Sequence, residues 1–125
     1  MVNKVIYTKN APEAIGPYSQ AYVANGFLYT SGQIAIDPKT NTFIEGDIVE
    51  QTKQVMENIK NLLEASGYSF DDVIKTTCFL KNMDDFSTFN EIYGSYFTSK
   101  PARSCVAAQK LPKDALVEVE VIAHK

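Results

Sequence analysis

Arg103 stands in a run that otherwise reads as strand, Ala102 to Ala108. Further on, Glu118 and Glu120 alternate with Val117, Val119 and Val121. Side chains of a strand alternate between its faces, so the valines fill one face while Leu116, Glu118, Glu120 and Ile122 share the other. Carboxylates set among apolar residues on one sheet face have two readings. One is an edge sheet with solvated charges. The other is a guanidinium and a carboxylate lining one small pocket. Such a pair can hold a planar anion through two parallel hydrogen bonds and can orient or deprotonate a water.

Elimination narrows the chemistry further. The only histidine, His124, stands next to the C-terminus, a poor place to fix the base of a Ser-His or Cys-His pair. Cys78 and Cys105 are the only thiols and lie far apart in sequence, which argues against a zinc site built from Cys and His. There is no G-x-G-x-x-G and no phosphate loop. What remains is Arg, Glu, Tyr, Cys, hydroxyls, backbone groups and water. These suit a reaction without cofactor or metal on a small, already reactive substrate, or binding without catalysis. The net charge of −3, with acids and bases interspersed, lacks the basic face of a nucleic-acid binder. No apolar run reaches membrane-spanning length, and Met1-Val2-Asn3-Lys4-Val5 lacks a signal-peptide apolar region, so a cytoplasmic location is expected. The 125 residues, 45% of them hydrophobic, are expected to form one domain over 1–125.

The elements that must position these groups read as follows. Lys4 to Tyr7 is a short strand. Ala11 to Pro17 is a loop in which Gly16-Pro17 fixes the backbone before Tyr18, either an aromatic covering the core edge or a pocket wall with a phenol donor. Gln20 to Ala24 and Phe27 to Ile36 flank Asn25-Gly26, the signal of a type I′ hairpin. Ser31-Gly32 inside the second strand marks a bulge or a close approach by another backbone or a ligand. Asp37 to Thr42 is a turn-rich connection. A helix begins at Asp47, capped reciprocally with Glu50. Its apolar stripe is Ile48, Val55, Ile59, Leu62 and Leu63, and it stops at Gly67.

Val73 to Lys81 is a strand with Ile74, Thr76, Cys78 and Leu80 on one face and Val73, Lys75, Thr77, Phe79 and Lys81 on the other. A second helix runs from about Met83 to Phe97, opened by Asn82 or Asp84. Phe86, Phe89, Tyr93, Tyr96 and Phe97 form its core face, and Asn90 lies off that stripe as a surface amide. The order is β-β-β-α-β-α-β-β. Two crossovers put both helices on one face of a mixed sheet. The other face is half apolar and uncovered, which calls for self-association.

Three separated groups of residues carry a resemblance. They are Pro101-Ala102-Arg103-Ser104-Cys105-Val106 with Leu111-Pro112-Lys113-Asp114 and the Val-Glu strand; Asn10-Ala11-Pro12 with Ala14-Ile15-Gly16-Pro17-Tyr18-Ser19-Gln20; and Thr30-Ser31-Gly32-Gln33-Ile34. In this order, from about Thr8 to Ala123, the chain resembles the reactive-intermediate deaminase family (RidA, also called YjgF). The resemblance implies an α+β chorismate-mutase-like fold, with a mixed six-stranded sheet carrying two helices on one face. It also implies a homotrimer with three sites in the clefts between subunits. The implied activity is hydrolysis of 2-aminoacrylate, 2-aminocrotonate and their imine tautomers to 2-keto acids and ammonia, without cofactor or metal. Matched residue by residue, the family motif marks Arg103 and Glu118 as catalytic. It marks Tyr18, Ser31, Gly32, Asn90, Arg103 and Cys105 as substrate-binding.

Physical chemistry fits that task. Arg103 anchors the carboxylate of a 2-imino acid, Glu118 acts on the attacking water, and a backbone carbonyl and amide near Cys105 hold the iminium nitrogen. Strand spacing alone does not choose between Glu118 and Glu120. If the last two strands paired as a hairpin, Arg103 would sit about four residues, roughly 13 Å, from the partner of Glu118. Either those strands are not neighbours or two subunits supply the groups. A nucleophilic Cys105, its pKa lowered by Arg103, lacks a base, and a wall residue suits it better. The short loop Phe97-Thr98-Ser99-Lys100 borders the cleft and bears on substrate breadth. The competing reading is a regulatory trimer that binds small carboxylates without turnover. A ribonuclease fits least, given the acidic balance and the lack of a usable histidine.

Overall fold

A computed structural model describes residues 3–125; Met1 and Val2, part of the N-terminal stretch weighed above, lie outside them. At the Asn25-Gly26 turn both φ angles are positive, 55° and 83°. This is the type I′ geometry whose twist matches that of the strands it joins. It connects β2 (Ala21–Ala24) to β3 (Phe27–Thr30), and β1 (Lys4–Ile6) pairs with the outer side of β2. Helix α1 (Ile48–Ala65) starts on the expected capping box. The Asp47 carboxylate accepts from the Glu50 amide at 3.0 Å, and the Glu50 side chain accepts from the Asp47 amide. The helix ends at Ser66 and Gly67, the latter at φ 81°. After β6 (Val73–Leu80), Asn82 accepts from the Asp84 amide to open a single 3₁₀ turn that leads into α2 (Phe86–Tyr96). β7 (Ala102–Ala107) and β8 (Val117–His124) follow.

The sheet order is β1-β2-β3-β8-β6-β7. Only β6 and β7 run parallel, and the last strand is inserted at the centre. Both helices pack on one face. Val55, Ile59 and Leu62 of α1 and Phe89 and Tyr93 of α2 meet Val117, Val119 and Val121 of β8 in a single core cluster. Each fully buried side chain of this kind contributes about 1.5–3 kcal/mol of transfer free energy. On the opposite face Val5, Tyr22, Tyr29 and Ile122 align in one cross-strand row. The first three of these remain about half exposed. Among the described residues no helix is long and apolar enough to cross a membrane.

Four expectations need correction. The second hairpin strand does not run to Ile36. It stops at Thr30, and only Gln33 rejoins β8, exchanging backbone hydrogen bonds with Val119. The connection read as a turn is itself a ribbon of β4 (Ile36–Asp37) and β5 (Thr42–Phe43), turned through Asn41 at φ 56°. On β6 a register shift between Val73 and Lys75 reverses the phase. Val73 is therefore buried with Thr76, Cys78 and Leu80, and Ile74 is 47% exposed. The separation of Cys78 and Cys105 in sequence is also no guide to space, because they are register partners on β6 and β7.

Candidate active site

Glu118 projects from β8 on the face away from the helices, opposite Phe79 of β6. Beside it β3 breaks off, and Ser31-Gly32 passes over the carboxylate. A β-carbon on residue 32 would overlap Glu118 Oε2 and lie 2.8 Å from Cδ and 3.1 Å from Cγ, so any larger residue must push the Glu118 side chain from its place. The glycine inside the strand pattern therefore marks close approach, by a side chain of the same sheet. The backbone is pinned here: the Ser31 amide donates to Gln20 O at 2.9 Å, and the Ser31 hydroxyl donates to Ser19 O.

Gln20 is almost fully buried and latches the loop in front of it. Its Nε2 lies 2.8–3.2 Å from the carbonyls of Thr8, Ala11 and Pro12, and its Oε1 accepts from the Thr8 amide. That loop carries Tyr18, half exposed, with its ring edge over Gly16. Tyr18, Ser31, Gly32 and Glu118 line one cleft of about 600 Å³, whose outer wall includes Ile15, Ile34, Ile36 and Pro112. The buried Asn58 of α1 fixes that wall by donating to the carbonyls of Ile34 and Ile36 at 3.2 and 2.9 Å. Burial raises the Glu118 pKa above its ordinary value, and the nearby charge of Glu120 adds to the rise. Glu120 lies opposite Thr77 on the same face but does not line the cleft. The spacing left these two glutamates equal, and their surroundings do not.

Arg103 lies elsewhere. On edge strand β7 it pairs with the fully buried Thr76 and so points to the helix-covered face. There its Nη1 donates to Asn90 Oδ1 at 2.5 Å, and its guanidinium lies 4.8 Å from the Tyr93 ring centre and 5.4 Å from that of Phe86. Asn90, a surface amide by its spacing and a pocket residue by the resemblance, is half buried and engaged. Asn90, Arg103, Thr98, Lys100 and Pro101 line a second cleft of about 440 Å³. Arg103 is the chain's one arginine. Among the described residues the only ion pair joins Lys81 and Asp114, so no carboxylate neutralises the guanidinium. Cys105, half buried two residues further along β7, lines neither cleft. Burial raises its pKa, outweighing the lowering by Arg103, and burial pushes Cys78 up to about 12. The thiol form is favoured, which agrees with the reading of Cys105 as no nucleophile.

The single small pocket expected for Arg103 and Glu118 is not formed within one copy. β7 and β8 are not neighbours, because β6 lies between them. The β6 partners of the two residues, Thr76 and Phe79, are three positions apart. At strand rise and two inter-strand spacings their Cα atoms are about 14 Å apart, and the side chains leave opposite faces. One copy thus carries a guanidinium unpaired with any carboxylate on one face and a carboxylate of raised pKa on the other. The sequence reading gave no site role to Gln20 or Asn58 and read Tyr93 as core, which it is, but not as a ring beneath Arg103. A Gln or Asn inside an apolar pattern was the available signal for the first two, since a buried amide must find partners.

A family model described as Endoribonuclease L-PSP matches residues 8–125. A RutC family protein of Pyrococcus horikoshii is 58% identical over 125 residues, 99% of each chain. A 2-iminobutanoate/2-iminopropanoate deaminase of Salmonella typhimurium is 46% identical over 126 residues, 98% of each chain. The crystal structure of E. coli TdcF with bound serine superposes with a TM-score of 0.92 at 40% identity, covering 98% of each chain.

Proposed function

The chain belongs to the Endoribonuclease L-PSP family, the RidA/YjgF proteins, and on that footing we propose that it hydrolyses 2-imino acids and their enamine tautomers to 2-keto acids and ammonia. The observation that carries this reading is the division of the two key groups between opposite faces of the sheet. Each becomes useful only when copies meet, and the uncovered row of Val5, Tyr22, Tyr29 and Ile122 offers an apolar surface for that meeting. In the proposed homotrimer the site lies between subunits, with Arg103 and Asn90 from one copy and Glu118, Gly32, Ser31 and Tyr18 from its neighbour.

Arg103 takes the substrate carboxylate bidentately. The protonated imine carbon is already electrophilic, and backbone groups near Cys105 hold its nitrogen. Glu118, its pKa raised toward the working range, orients a water and accepts its proton as the new C–O bond forms. The same proton then goes to the departing amine; as the C–N bond breaks, the carbinolamine hydroxyl gives its own proton back to Glu118, the C=O bond of the keto acid completes, and that proton leaves with the ammonia as ammonium. Water is consumed and ammonia released, with no change of oxidation state. General-base assistance of this kind contributes about 10²–10⁴-fold, and orientation adds to it.

The test generates 2-aminoacrylate in situ with a serine/threonine dehydratase and follows keto-acid release with and without the protein. Arg103→Ala and Glu118→Ala should each lose the acceleration. Refolded together in equal amounts, the two variants should regain about a quarter of wild-type activity, the fraction of interfaces that pair an intact Arg103 with an intact Glu118 in a mixed cyclic trimer. Failure to complement would place both groups in one subunit or refute the trimer. A folded wild type that binds 2-oxobutanoate through Arg103 yet accelerates nothing would favour the carboxylate-binding regulator.

A further inference from the structure

The guanidinium of Arg103 is held on the α2 side in an ordered way. Phe86, Asn90 and Tyr93 stand at i, i+4 and i+7 of α2, one face of the helix. They give the guanidinium two ring faces and one amide oxygen. Tyr93 is the best fixed of the three. It is 7% exposed, its ring stacks on Phe97 at 4.5 Å, and its hydroxyl shares a 2.7 Å hydrogen bond with Thr76 Oγ1. Thr76 is also the register partner of Arg103 on the next strand. The strand neighbour of the arginine therefore holds the ring that lies beneath the arginine.

We propose that Tyr93 is a positioning residue for carboxylate recognition, its ring ordering the Arg103 guanidinium before a ligand arrives. The physical reason lies in what the alternatives would cost in function. A carboxylate could order the same side chain, but it would neutralise the charge and compete with the substrate anion. A ring face attracts a cation through its quadrupole and leaves the guanidinium charge and its outward N–H groups free. An unsupported arginine would have to be immobilised on binding, which weakens a ligand about two- to twelve-fold.

This inference rests on the reading of Arg103 as the carboxylate anchor, and the experiment separates the two. With ¹⁵N-arginine labelling the chain gives one Nε–H signal, because it has one arginine. The expected wild-type signal is sharp and slow to exchange with water, and calorimetry measures 2-oxobutanoate affinity on the same protein. Tyr93→Leu should broaden the signal, speed exchange and weaken binding about two- to twelve-fold. Tyr93→Phe with Thr76→Val keeps the ring and removes both members of the hydroxyl pair, so affinity should return to within about twofold of wild type. If Tyr93→Leu fails to fold, Phe86→Leu removes the second, less buried ring and should move both readouts in the same direction. Lost binding in Arg103→Ala beside wild-type affinity and a sharp signal in folded Tyr93→Leu, or in Phe86→Leu as its substitute, would overturn this inference alone. Undiminished binding in Arg103→Ala would overturn the anchor and this inference with it.

Discussion

Gly32→Ala tests whether the Glu118 carboxylate must stand where it does. The added methyl would overlap Oε2 and would leave Cδ at 2.8 Å and Cγ at 3.1 Å, against roughly 3.5–4.0 Å for a relaxed carbon–carbon contact. Because Cγ is crowded too, turning the carboxylate alone does not relieve the overlap; the side chain must swing by about 0.5–1 Å. A displacement of about 1 Å in a reacting group costs on the order of 10²-fold in rate, up to the roughly 10⁴-fold that a general base supplies. The expected stability loss from overpacking is about 1–3 kcal/mol, so the protein should still fold. In the dehydratase-coupled assay kcat should fall at least about 100-fold with KM little changed, since the carboxylate anchor is untouched. The acid limb of kcat/KM should also move. Burial and Glu120 raise the Glu118 pKa in the wild type, so activity rises with pH above the ordinary carboxylate range. A carboxylate pushed toward water would titrate lower. A folded Gly32→Ala with wild-type kcat and an unmoved acid limb would refute the placement of Glu118 as the water-activating group.

Three further outcomes are expected. Because the folded Glu118 pKa is raised, the stability tied to its protonated form is full below the unfolded value and is lost as pH rises through the folded one. Glu118→Gln should therefore be inactive yet more stable than wild type near pH 8, with the gain vanishing near about pH 4; urea unfolding at the two pH values checks the sign. Gln20→Leu strips partners from the backbone of Thr8, Ala11 and Pro12. It should cost about 2–4 kcal/mol or release the loop locally, and faster amide exchange over residues 8–19 with a raised KM would report the second case. Arg103→Lys keeps the charge but loses the planar fork, so it should raise KM about tenfold or more with a smaller effect on kcat; steady-state kinetics that leave KM unchanged would refute bidentate anchoring.

Much of this was legible in the chain because it rests on local rules. The Asn25-Gly26 turn, the Asp47–Glu50 capping box and the stop at Gly67 each follow from what a few adjacent residues can do with their own backbone, and each formed where its residues stand. The alternation of Val117, Val119 and Val121 with glutamates gave the two faces of β8 by period alone. Other features depend on partners distant in sequence and so escaped. The Val73–Lys75 register shift is visible only against β8. The ring beneath Arg103 needs α2 folded back on the sheet, and the reason for Gly32 is a carboxylate 86 positions away.

Residue types and order determined the two faces of β8, the limits of α1 and the short inventory of groups able to do chemistry. Tertiary structure alone decided that β8 enters between β3 and β6. That one insertion separates Arg103 from Glu118, turns them to opposite faces and gives Glu118, not Glu120, the place beside Gly32. Strand pairing order is set by which faces bury the most apolar surface together across the whole sheet. It is a property of the assembled core, and no window of adjacent residues contains it.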